Sequence, residues 1–457
     1  MAAWCEARML KVGVIGAGWA GCAAAVQAAR LGHDVTLFEA ARTPGGRARR
    51  VDITHNSTAM ALDNGQHILI GAYSETLKLM ADLGVNADAA MLRIPLTMKF
   101  PDGSGLQLPR WPAPVDALLG IASAKGWSWR DKAALLFAAC TWQLRKFQCP
   151  AQQSVANLCC KLTPRVMATL IEPLCVSALN TPADRASAQV FLRVLRDALF
   201  STTGGSNLLL PKVDLSALLP DAALAWLSQH GAVVKLGNRV NQLTKTGSRW
   251  QLGLASGAAL VGAVGAVGAH EATRELQPAE TDSFDRIILA CPVNVAINLV
   301  QTTGLPCTGW LSSANKLTFE AITTVYAVGS SKPLAQPMLA LPSCSNFPAQ
   351  FVFDRGQLGG PAGLLAFVIS ASNADAQTLS KQVSAQASAQ LGLSQLDIVQ
   401  TIVEKRATFA CTPNLDRPSQ NIAPGLLAAG DYVAGPYPAT LEGAIRSGLS
   451  AALLLNK

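Results

Sequence analysis

A β-branched strand run, a glycine turn that opens an alanine-rich helix, and a second strand ending on an acid predict an α/β fold with a Rossmann-like nucleotide-binding domain. "KVGVIG" reads as a strand of a parallel sheet covered on both faces. Gly16, Gly18 and Gly21 follow as G-x-G-x-x-G. The first allows a tight turn, the second lets backbone amides approach a pyrophosphate, and the third lets the next helix pack against the strand. "WAGCAAAVQAARLG" is a helix by composition, with Gly32 as its stop. Its N-terminal amides, opening at Trp19 and Ala20, add partial positive charge for phosphates. "HDVTLFEA" is the second strand, and Glu39, followed by Ala40, ends it. A carboxylate there accepts the hydroxyls of an adenosine ribose and repels a 2′-phosphate, which disfavours NADP.

Bulk composition narrows the class. A chain of 457 residues holds two or three domains. Half of it is apolar, only 14% is charged, and the mean hydropathy is +0.27, greasier than an average soluble enzyme. The longest weakly polar run, "GLASGAALVGAVGAVGAH" at 253–270, lacks bulky aliphatics and is expected to be a loop or hairpin insertion rather than a span. No cationic start with an apolar h-region precedes Lys11, so a cytoplasmic location is expected. Eleven scattered cysteines with no C-x-x-C pair predict reduced thiols, without a metal site or a disulfide framework. The net charge of +8 comes without a basic block interleaved with aromatics, which argues against nucleic acid and fits attraction to an anionic membrane surface.

"TPGGRARR" follows Glu39 directly. Gly45 and Gly46 let backbone approach a ligand closely, and Arg47 can fork onto phosphate oxygens; Arg49 and Arg50 suit a solvated face. This doublet resembles the G-G-R signature of the FAD-dependent amine oxidase and phytoene desaturase superfamily. The resemblance implies FAD as cofactor and an FAD-binding domain of the glutathione-reductase and amine-oxidase type, interleaved with an α+β substrate domain. It implies an extension at 1–9, with Met9 an alternative start. It gives the FAD domain 10–90, 205–295 and 404–457, and the substrate domain 91–204 and 296–403.

Other matching segments carry the resemblance along the chain. "GLLAAGDY" places Gly430 and Asp431 beside the ribityl–phosphate part of the cofactor. "PATLEGAIRSG" sets Thr440, Leu441, Gly443 and Ala444 at a helix start facing the flavin ring. Val240 in "GNRVNQL" matches the position whose backbone meets adenine, and "FDRIILACP" matches the strand that returns the chain to the cofactor domain. "LDNGQHILIG", "IEPLCVSALNTPADRASAQVF" and the "GWAG" of the glycine loop are similar to the hydroxysqualene dehydroxylase family of squalene-associated flavoenzymes. The "VGAVGAVGA" insertion and the "PYPAT" approach to the last helix depart from it.

That likeness implies reduction of hydroxysqualene to squalene in hopanoid biosynthesis, with a triterpenoid partner and an electron donor that the sequence leaves unknown. It places Gly65 and Gln66 beside the cofactor and makes Asp63, His67 and Glu442 candidate acids, each with a plain structural alternative. The helical stretches 118–144 and 165–179 can line an apolar tunnel or form ordinary core. Trp111, Trp127, Trp129 and Trp142 either mark a membrane-facing mouth or fill a helical subdomain. A carotenoid desaturase or an amine oxidase is the alternative; only four tyrosines are present to build an aromatic amine cage. A lipid carrier of the same fold would not need the cofactor signals.

Overall fold

Strand Lys11–Ile15 lies inside a six-stranded sheet. Its parallel neighbours are Asp34–Glu39 on one side and Arg286–Leu289 on the other. Val233–Leu236 and Leu426–Ala428 extend the parallel array outward, and Asn421–Ala423 closes one edge antiparallel. Strands covered on both faces need apolar side chains at every position; Val12, Val14, Leu37, Ile287 and Ile288 are all wholly buried. The computed structural model describes residues 9–200, 203–255, 283–329, 332–372 and 374–456. All of the glycine-rich run beyond residue 255 and nearly all of the N-terminal extension fall outside them.

One face of this sheet carries helix Trp19–Arg30, and helix Leu441–Leu453 packs on that helix. The two backbones all but touch: a Cβ on Gly448 would sit 2.1 Å from the Ala20 carbonyl oxygen. Beside the main sheet, Val240–Thr246, Arg249–Leu254 and Ser283–Phe284 form a three-stranded antiparallel meander.

A second large sheet is antiparallel, ordered Met338–Ala340, Phe351–Asp354, Leu364–Ser370, Phe319–Val328, Asp397–Phe409. The strands expected at "TFEAITTVYAV" and "GLLAFVIS" pair with each other at its centre. Residues 404–409 continue its edge strand, so the chain leaves this sheet only after Phe409.

The stretch read as helical from 118 to 144 is two helices, Val115–Ser123 and Trp129–Leu144. Ser128 and Asp131 form a reciprocal capping box at the second start, which explains the break. At 164–179 the helix widens into a π-turn over Met167–Ile171 just before Pro173. Proline has no amide hydrogen to give to the carbonyl four residues back, so the turn loosens there. The four tryptophans divide evenly: Trp127 and Trp142 are core, whereas Trp111 and Trp129 are 60% and 74% exposed.

Candidate active site

The glycine turn has the geometry its spacing requires. Gly16 has φ +109° and donates its amide to the Phe38 carbonyl at 2.7 Å. A Cβ on Gly21 would lie 1.8 Å from the Gly16 carbonyl oxygen, so helix and strand meet with no room for a side chain. Gly18 caps the helix, and among the described residues beyond its own neighbours in the chain a Cβ there would meet within 4 Å just the Gly46 Cα, at 4.0 Å. Gly45 (φ +104°) bonds back to Ala17 at 2.8 Å, which brings the G-G-R loop alongside the turn. The Trp19 indole donates to the Ala48 carbonyl at 3.0 Å and fixes that loop from below, with Ala20 buried next to it.

The Glu39 carboxylate accepts from the Ala17 and Ala41 amides, both at 2.8 Å, with exposed Ala40 between Glu39 and Ala41. Backbone amides of Gly237 and Asn238 donate to the Ala41 and Glu39 carbonyls at 2.8 Å each. Buried Val240 follows this tie by two residues.

Arg47 links the two chain ends. Its guanidinium donates to Asp431 at 2.6 Å and to the Ala407 carbonyl at 2.5 Å. Asp431 is 8% exposed, and Gly430 before it is held by Ser447 Oγ at 3.0 Å. Thr440 caps the last helix by accepting from the Gly443 amide at 3.0 Å, next to Leu441 and Ala444. A Cβ on Gly443 would run into the Tyr437 carbonyl oxygen at 2.0 Å.

The three candidate acids are in unlike settings. Glu442 is wholly buried, and its carboxylate accepts from the Glu75 amide, the Thr76 amide and hydroxyl, and Arg446 Nε. It therefore pins the start of helix Ser74–Asp82 to the last helix. Asp63 is 3% exposed, accepts from the Leu215 amide at 2.8 Å and lies 3.9 Å from Arg355. Burial pushes its carboxyl up to about 6 despite those two favourable partners. His67 is half-buried in the Gly65 turn, Nδ1 3.1 Å from the Gly65 carbonyl. Burial, helped by the Arg47 charge, lowers its imidazole below the usual 6.5 even though the Gly65 carbonyl works the other way. Gln66 accepts from Arg355 at 3.4 Å.

Sequence reasoning missed a set of buried groups here. Tyr432 is 3% exposed, and its hydroxyl has no hydrogen-bond partner among the described residues; the same holds for the Thr324 hydroxyl. Thr324 Oγ1 lies 3.8 Å from where a Gly65 Cβ would stand. Tyr432 directly follows the Gly-Asp pair and is one of four tyrosines, a signal that was available. Thr324 and Arg355 carried none. Unpartnered buried hydroxyls, side-chain-free turns at Gly18, Gly45 and Gly46, and the helix start at Trp19 fit a flat, polar, diphosphate-bearing cofactor.

The chain matches the family described as flavin containing amine oxidoreductase over residues 19–456. It belongs to that family. It is thus an FAD-dependent oxidoreductase. Over nearly its whole length it is also similar to hydroxysqualene dehydroxylases. That of Rhodopseudomonas palustris is 28% identical over 97% of this chain and 98% of its own. That of Sinorhizobium fredii is 25% identical over 96% and 97%. Among solved structures, an oxidoreductase from Methanosarcina mazei superposes with TM-score 0.69 at 14% identity, covering 96% of this chain and 99% of that one. Cyclohexylamine oxidase from Brevibacterium oxydans gives 0.62 at 15%, covering 98% and 99%. These two share the fold.

Proposed function

We propose that this flavoenzyme reduces hydroxysqualene to squalene, replacing a hydroxyl by hydrogen. The observation that carries the reading is the end-to-end likeness to three hydroxysqualene dehydroxylases, each aligned over 96–97% of this chain. The hydride for the replacement is what bound, reduced FAD supplies.

The chain's own residues supply the rest. Gly18, Gly45 and Gly46 present backbone to the diphosphate, Glu39 takes the adenosine ribose and Val240 the adenine, while Thr440 to Ala444 form the wall beside the ring. Thr324 and Tyr432 have hydroxyls to offer the cofactor's polar edge. Hydroxide leaves poorly, so a proton must reach the departing oxygen as the C–O bond breaks and C–H forms, releasing water. Glu442 has its oxygens engaged by four donors and serves to hold the helix. The Asp63 carboxylate is turned to Leu215 and Arg355 and serves to set the Gly65 turn. His67 remains: with Nδ1 on the Gly65 carbonyl, Nε2 is the atom that holds and delivers the proton. An apolar tunnel suffices for the substrate chain, since each buried methylene gains roughly 0.8 kcal/mol.

Because His67 acts protonated and its imidazole lies below 6.5, turnover should fall as pH rises through a value under 6.5. His67→Gln should remove that limb and lower turnover roughly 100-fold at pH 6 with flavin still bound. The deciding experiment incubates reduced holoprotein anaerobically with hydroxysqualene and identifies the product by mass spectrometry. Squalene supports the reading. Unchanged substrate, with flavin reduction by a polyene or an amine instead, overturns it.

A further inference from the structure

We propose that helices Val115–Ser123 and Trp129–Leu144 form a platform that docks on an anionic lipid surface without crossing it. The inference rests on where their apolar side chains point, not on the substrate.

Along the second helix, Trp129, Ala133, Phe137, Cys140 and Leu144 are all exposed. Their spacing of four, four, three and four residues is one face of an α-helix, so this stripe runs the length of the helix on its solvent side. Trp129, Phe137 and Leu144 are 74%, 66% and 85% exposed. The same helix sends Leu135 and Trp142 inward, so it already has a core face and the outer stripe is a second one. On the neighbouring helix, Val115, Leu118 and Leu119 are likewise exposed, with Trp111 just before it. Of the large hydrophobic residues exposed among the described residues, seven of eleven fall between 111 and 144. Single exposed apolar residues are ordinary, but a contiguous patch of this kind marks an interaction site.

Charge selects the occupant. Arg110, Lys125, Arg130, Arg145 and Lys146 are exposed at the ends of the two helices. The only carboxylates between 103 and 150 are Asp116 and Asp131, both buried, the second in the capping box. The Arg130 guanidinium lies over the Trp129 ring, 5.6 Å from its centroid. An apolar face with tryptophans at its edge, ringed mainly by cations, with exposed Asp102 in the adjoining turn, suits acyl chains below anionic headgroups. A protein partner or a second copy would need acids to meet those cations, and the patch itself offers none. No helix among the described residues is long and apolar enough to cross a membrane, so contact is peripheral. A cavity of about 470 Å³, lined in part by Leu108, Arg110 and Ser123, opens at the edge of the platform.

The test is flotation of purified holoprotein with vesicles of phosphatidylcholine alone or with one third phosphatidylglycerol, at low and high salt. Binding to the anionic vesicles, weakened by salt, is expected. Trp129→Glu/Phe137→Glu should weaken it at least tenfold, and Arg130→Glu/Lys146→Glu should abolish the preference for phosphatidylglycerol. Both variants should keep the wild-type flavin spectrum and melting temperature, since all four side chains are exposed. Absence of wild-type binding, or unchanged binding by the glutamate variants, overturns the proposal. So does a wild-type dimer that Trp129→Glu/Phe137→Glu converts to monomer, which would assign the face to a second copy.

Discussion

Gly21 shows how far single residues decide this site. With 1.8 Å between a would-be Cβ and the Gly16 oxygen, Gly21→Ala must separate helix from strand, and the expected result is protein that purifies with little or no flavin absorbance. Glu442→Ala strands the Thr76 hydroxyl, two amides and Arg446; a loss of about 3 kcal/mol is expected in chemical denaturation. Asp63 gives a pH signature. Its folded value of about 6 lies above the usual 3.8, so the folded state binds this proton more tightly than the unfolded state. The associated stability is complete below 3.8 and is lost as pH rises to about 6. The loss amounts to about 3 kcal/mol at most. Asp63→Asn should flatten the fall in melting temperature across that window. A slope unchanged by the substitution would show that the carboxyl titrates normally. The glycines, Glu39 and the G-G-R loop were readable because backbone geometry forces their identity. The partners of Glu442 and Asp63 were not readable, since Thr76, Leu215 and Arg355 lie far away in sequence and follow no periodic pattern.

At the level of elements, the decisive contact is between the helices Trp19–Arg30 and Leu441–Leu453. Gly448→Val would thrust a side chain into the Ala20 carbonyl, 2.1 Å from the Cβ position. The helices must part, and the expected outcome is a lower melting temperature together with loss of flavin, because the glycine turn before Trp19 and the Thr440 cap move with them. Retained flavin in that variant would show that the crossing does not set the cradle. Strands of the parallel sheet and the central pair Phe319–Val328 and Leu364–Ser370 were legible as apolar runs. The orientation of helix Trp129–Leu144 was not. Its apolar residues surround the axis, with Leu135 and Trp142 inward and Trp129 and Phe137 outward, so periodicity had no single face to report.

Over the whole molecule, one sheet gathers strands beginning at Lys11, Asp34, Val233, Arg286 and Leu426. The likeness of its motifs to a known family led to the expectation of a cradle built from both termini; hydrophobic patterning alone does not say which strands are neighbours. Deleting residues 421–457 should leave the Arg286–Leu289 edge bare and the product insoluble. Such an order of strands also times the birth of the enzyme. While the ribosome is still making the last thirty or so residues, the flavin has half a berth, and at roughly 5–20 residues per second the growing polypeptide spends a few seconds with that seam open. Coenzyme loading is therefore an event that follows release of the finished chain, and cells short of flavin should accumulate it as apoprotein or lose it to proteolysis.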